Sequence, residues 1–332
     1  LSRSDTAEEI SKMSKEETEK LGFVYDNVDV KAKFTKSLMV FTPVRCLSDN
    51  ITAKGSSIEL IGDTITFFKN KRSKNNQYSY DAVLQSFSNR DFYLSIDKKL
   101  DIYNTLADML PSDPAAVPSQ DKEFYNFVTA ERKYRDYVNR KYLSLPTDSD
   151  MLKNLANQLT SSYSQDFAKA LAIEKYFKSE YKYAKNFTYA SGSALQKVNY
   201  MINETKTGYC TYFATAMTVM MRHLGIPARY VIGYHAMSSE NTDGENIVRQ
   251  IDDKNYHAWV EVYFDGMGWL TFDPTPGINT NEILRDYDYL DDPVPPEEEE
   301  VKDLPEENEE ERHTGQRCRC PAGWRFFYDD GR

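Results

Sequence analysis

Between Thr207 and Pro227 the sequence marks both ends of a helix and leaves a cysteine in its first turn. Gly208 permits a tight approach ahead of Cys210, and Ala214, Ala216, Met217 and Met220 favour helix. Gly225 suits the left-handed position just past a helix end, and Pro227 cannot continue the helix. A thiol in the first turn meets unpaired N–H groups and the positive end of the macrodipole, both of which favour the thiolate. The N–H of Cys210 can also face a developing oxyanion. A lone cysteine in an apolar helix is ordinarily a core residue, so a nucleophile is inferred only if an imidazole and an orienting group accompany it.

Both follow in order. Arg229 to Tyr234 reads as a strand, and Tyr256 to Phe264 and Trp269 to Asp273 read as two more around the turn formers Asp265-Gly266-Met267-Gly268. With a strand period of two, His257, Trp259, Glu261 and Tyr263 share one face, and Trp269, Thr271 and Asp273 share a face of the second strand. His257 and Asp273 meet on the same side only if the connecting loop has an odd number of residues. A three-residue loop, Gly266-Met267-Gly268, with Gly268 as the bulge residue satisfies this. The spacing therefore predicts a bulged hairpin in which Asp273 accepts from one ring nitrogen of His257 and leaves the other facing Cys210.

The remaining histidines fit less well. His223 lies thirteen residues beyond Cys210 on the same helix, a rise of about 20 Å. His235 ends a strand and reads as a rim residue, and His313 falls in the polar tail. Glu261 reads as a structural hydrogen-bonding group rather than a second base.

Upstream, Val28 to Phe34, Ser37 to Val44, Ile58 to Phe68 and Tyr78 to Phe87 are rich in β-branched and aromatic residues, with turn formers between them. Residues 21–120 are thus read as an antiparallel β-rich accessory domain for packing, positioning or binding, after a charged lead-in over 1–20. Helical spacing predicts helices from Lys122 to Tyr142, from Ser149 to Tyr163, and from Gln165 to Glu180, the last with a core stripe of Phe167, Leu171, Ile173, Tyr176 and Phe177. Residues 121–290 form the second domain, with a helical lead-in. From Asp291 to Glu311 there are 12 acidic residues against the single Lys302, which supplies the whole net charge of -11. Such a stretch buries too little apolar surface to fold, so 291–332 reads as a disordered linker and an appended tail. The body is neutral, which argues against a basic nucleic-acid groove. Of the four cysteines, Cys46, Cys210, Cys318 and Cys320, the two in the body are predicted to be free thiols. No metal-binding motif is present, and no cofactor is expected.

These residues resemble a known family. Gly208-Tyr209-Cys210, Phe213-Ala214, Arg222, Gly225-Ile226-Pro227-Ala228-Arg229, Gly233-Tyr234, His257-Ala258-Trp259-Val260-Glu261 and the run from Trp269 to Pro276 are similar to the transglutaminase-like core, chiefly its bacterial membrane-anchored branch. The resemblance implies an α+β fold of papain-like type: a helix carrying the cysteine packed on an antiparallel sheet carrying His and Asp. It implies Cys210 as nucleophile, His257 as general base and acid, Asp273 as orienter, and Tyr209 and Trp259 as substrate-binding or oxyanion residues. Tyr209 stands where animal transglutaminases commonly have Gln, which leaves amine-acceptor specificity open. The resemblance further implies protein or peptide substrates and an extracytoplasmic domain of a membrane-anchored protein, in keeping with a chain that begins at Leu1 and reads as a mature fragment. Cross-linking and hydrolysis share the thioester intermediate, so transglutaminase stands beside cysteine protease or amidase, and beside a non-catalytic cell-surface binding domain.

Overall fold

The computed structural model describes residues 103–184, 191–234 and 251–277 throughout, and elsewhere the helical residues 96 and 100 and a set of strands. Cys46, His235, His313, Cys318 and Cys320, the lead-in and the acidic tail lie outside the described residues.

Six strands precede the helices: β1 (Phe23–Ala32), β2 (Met39–Val40), β3 (Thr52–Ala53), β4 (Ile58–Ile61), β5 (Ile65–Phe68) and β6 (Asn76–Gln85). They form two antiparallel sheets, in the orders β1-β6-β3 and β2-β5-β4. The single strand expected over 58–68 is a hairpin with Ile61 opposite Ile65.

Four helices follow the predicted spans closely, α1 (Lys122–Tyr142), α2 (Asp150–Thr160), α3 (Asp166–Glu180) and α5 (Cys210–His223), and α4 (Ala194–Tyr200) is a short helix for which no span was predicted. Between α3 and α5, β7 (Lys182–Tyr183) pairs in parallel with β8 (Thr207–Gly208). α4 starts on a capping box, in which the Ser193 side chain accepts from Gln196 N and Gln196 reaches back to Ser193 N. α5 ends as its sequence requires. Gly225 takes φ +77°, its N–H donates to Arg222 O at 3.1 Å, and Ile226 N–H donates to Met221 O at 3.0 Å. That is a Schellman closure with buried Ile226 and Met221 at its apolar contact.

A third antiparallel sheet sits against this helix, in the order β13-β12-β9, from β9 (Ala228–Tyr234), β12 (Tyr256–Phe264) and β13 (Gly268–Phe272). A further hairpin pairs β10 (Glu240–Asp243) with β11 (Asn246–Arg249). The sheet is buried on both faces. On one, Ala258, Val260, Val262, Phe264, Leu270 and Phe272 join the core formed with α2, α3 and α5. Phe167 of α3 meets Phe264 and Phe272 there, each at 5.7 Å between ring centroids. α5 is covered almost all round, from Tyr212 and Phe213 to Met220 and Met221, as a helix apolar on every side must be.

On the other face, Tyr263 and Trp269 pack against Val138 and Tyr142 of α1. Polar contacts reinforce the packing. Glu131, buried in α1, accepts from Tyr263 Oη at 2.7 Å, from Tyr103 Oη at 2.9 Å and from Gly266 N at 3.3 Å. Arg135 pairs with Asp265 at 2.5 Å, and Trp269 Nε1 donates to Tyr134 Oη at 3.0 Å. The helix predicted over Lys122 to Tyr142 is therefore a clamp on the β12–β13 turn. Replacing Glu131 with Leu deprives two tyrosine hydroxyls and a backbone N–H of their acceptor, and should cost about 3 kcal/mol. Urea denaturation of the two proteins measures it; a loss below about 1 kcal/mol would show that water replaces the carboxylate.

Candidate active site

Cys210 is the first residue of α5 and is buried, at 6% exposure. It is a free thiol. Tyr209 before it is extended, with φ -126° and ψ 171°, and its side chain does not cap the helix. The first-turn N–H groups are thus left without a side-chain acceptor from the cap position. The approach to the helix is held tightly: a Cβ on Gly208 would stand 2.5 Å from Met201 Sδ, and Gly208 O accepts from Ala184 N at 2.9 Å. The Tyr209 ring lies 4.6 Å from that of Tyr212 and is partly buried.

Val260 opposes Phe272 and Phe264 opposes Gly268, so continuing the ladder sets Trp259 opposite Asp273. His257 and Asp273 are therefore diagonal neighbours on one face, and they bond: His257 Nε2 lies 2.7 Å from Asp273 Oδ2, with both residues buried. The expected shared face is found, but the turn differs by one residue. The three loop residues are Asp265-Gly266-Met267 rather than 266–268, because Gly268 already pairs with Phe264. Both Gly266 and Gly268 take positive φ, +73° and +75°. Two candidate left-handed positions in one turn allowed either register, and only the odd loop length carried the parity.

With Nε2 committed to Asp273, Nδ1 remains for Cys210, whose side chain also hydrogen-bonds His257. Burial opposes charge on this imidazole. The hydrogen bonds to Asp273 and Cys210, with the coulombic interactions at the two residues, outweigh burial and push the His257 pKa up to about 9. Trp259 lies beside it, its ring 6.3 Å from the imidazole and 20° from parallel. Gly233, opposite His257 on β9, makes room for that indole: a Cβ there would meet Trp259 Cη2 at 2.7 Å. The predicted residues Cys210, Tyr209, His257, Trp259 and Asp273 thus gather where the start of α5 meets β12.

The other candidates are engaged elsewhere. His223 lies with Nε2 2.9 Å from Ser149 Oγ, and Glu261 accepts from Arg229 Nε at 2.5 Å. Arg229 also stacks 4.0 Å above the centre of the Trp269 ring. Among the described residues, no group of three or more His, Cys, Asp or Glu side chains is placed to hold a metal ion.

One contact at the site has no counterpart in the sequence reading. Asp273 Oδ1 accepts from Thr275 N at 3.1 Å, while Asp273 N donates to Oε1 of Glu174, a buried carboxylate of α3, at 2.6 Å. The available signal was a lone acid within the apolar stripe of a helix read as scaffold.

Comparison with known proteins bears on the family and the fold. A family model described as the transglutaminase-like superfamily matches residues 153–274. The chain is 36% identical over 145 residues to the uncharacterized protein YebA of Bacillus subtilis, covering 41% of this chain and 19% of that protein. It is 34% identical over 124 residues to a protein-glutamine gamma-glutamyltransferase of Pseudomonas aeruginosa, covering 36% of this chain and 17% of that protein. The chain thus spans less than a fifth of the length of either relative. The crystal structure of the periplasmic domain of TgpA from Pseudomonas aeruginosa shares the fold, with a TM-score of 0.51 and 19% identity over 80% of this chain and 77% of that one. Residues 153–274 are a domain of the transglutaminase-like superfamily.

Proposed function

We propose that this domain is a cysteine acyltransferase acting on protein or peptide carboxamides. The observation that carries the proposal is the bonded series from Cys210 at a helix start, through His257, to Asp273. In this reading the Cys210 sulfur attacks the carboxamide carbon, and the N–H groups of the first turn of α5 receive the oxygen as it gains charge. His257 gives its proton to the departing amine, the C–N bond breaks, and a thioester remains. A second amine then attacks, His257 takes its proton, and the new amide leaves as the thiol is restored. Tyr209 and Trp259 flank the reacting sulfur and imidazole, and line the approach for the substrate.

Likeness to a named gamma-glutamyltransferase favours an amine over water as the second nucleophile. Likeness to a periplasmic domain favours an extracytoplasmic setting for a membrane-anchored protein. No helix among the described residues is long and apolar enough to cross a membrane.

Incubation with a glutamine-containing donor peptide and a labelled primary amine tests the reaction. Amine-bearing product is expected from the wild type and none from Cys210→Ala. Asp273→Asn should lower kcat by on the order of a hundredfold or more, because the imidazole loses its orienting acceptor. Product consisting only of free acid would make the enzyme a hydrolase, and no product with unreactive Cys210 would leave a binding domain.

The protonation of His257 gives a second test. Its pKa rises from 6.5 to about 9 on folding, so its contribution to stability is fully present below pH 6.5 and is lost as pH rises through about 9. The melting-temperature advantage of the wild type over His257→Gln should shrink across that interval. In the same reading Cys210, beside an imidazolium, is alkylated by iodoacetamide at pH 6 faster than free cysteine. A flat difference in melting temperature from pH 6 to pH 10 would contradict the charged imidazole.

A further inference from the structure

Asp273 stands one residue beyond β13, where no ladder partner on β12 receives its N–H. That N–H goes instead to Glu174 Oε1, at 2.6 Å, across the packing between α3 and the sheet. Glu174 is 1% exposed, among Ile173, Phe177 and Leu171 on a helix whose other buried residues are all apolar or tyrosine. Placing a carboxylate there is costly, and it is set beside a second carboxylate, Asp273. Its compensations are the Asp273 N–H and Lys178 Nζ, at 3.9 Å from the same oxygen. A leucine would fill that volume without either cost, so packing does not explain the residue.

The Asp273 side chain is held on its other side by Thr275 N at Oδ1 and by His257 at Oδ2. Glu174 is what holds the main chain beneath it. We propose that Glu174 is a positioning residue of this site: by accepting the Asp273 N–H it fixes the backbone from which Asp273 orients His257. The inference rests on the acyltransferase reading above. It requires an acceptor atom at the reach of a Glu side chain, not a charge.

Three substitutions separate reach from charge and from packing. Glu174→Gln keeps an oxygen at the same reach without the charge. Glu174→Asp keeps the charge but withdraws the oxygen, and Glu174→Met keeps the volume without an acceptor. The readouts are kcat and KM for amine incorporation, iodoacetamide alkylation of Cys210 at pH 6, and the downfield NMR resonance of the His257 Nε2 proton.

The Gln variant is expected to stay within about twofold of wild type. The Asp and Met variants should lose at least about tenfold in kcat at unchanged KM, with slower alkylation at pH 6 and loss of the His257 resonance. Either of these two decides the matter if the other does not fold. Wild-type values in a folded Asp or Met variant would overturn the inference and leave the acyltransferase reading standing. So would a Gln variant as impaired as the Asp one, since charge would then be the operative property. A wild-type protein with neither amine incorporation nor reactive Cys210 would overturn both.

Discussion

Sliding β13 by one residue along β12 would turn Asp273 to the opposite face of the sheet from His257, because side chains alternate along a strand. The 2.7 Å bond between the two residues exists only in the register that sets Val260 against Phe272. Much of the surrounding structure holds that register. The turn takes two glycines at positive φ, and α1 grips it through Glu131 and Arg135. At the middle of the sheet, Arg229 bridges β9 to β12 through Glu261 and lies on the Trp269 ring of β13, joining three strands with one side chain. A buried ion pair of this kind contributes little net stability, but its geometry excludes neighbouring registers.

The Cys210 side of the site is held differently. α5 is enclosed by α2, α3, α4 and the sheet, so the position of Cys210 follows from close packing. The short parallel pairing of β7 with β8 and the contact of Gly208 with Met201 set the chain direction immediately before it. The proposed reaction thus falls at a junction between a rigid helix start and a rigid strand, which suits a mechanism that depends on orientation.

The polar groups buried around this junction are the residues that a periodicity argument handles worst. Glu131 and Glu174 both lie on helices whose stripe is otherwise apolar, and each proves to accept hydrogen bonds from residues more than ninety positions away. The helical period says that such a residue faces inward, but not what meets it there.

Local chemistry determined much of this protein. The ends of α5, the position of Cys210 in its first turn and the existence of a hairpin after it follow from glycine, proline and alternation, which act within a few residues. The parity linking His257 to Asp273 was legible for the same reason. The tertiary structure alone decided which of two glycine-bearing turns sets the register, which ring nitrogen of His257 meets Asp273, and that α1 and α3 each send a carboxylate into the sheet. Those outcomes depend on contacts between residues far apart in sequence, whose energies arise only once the elements have packed.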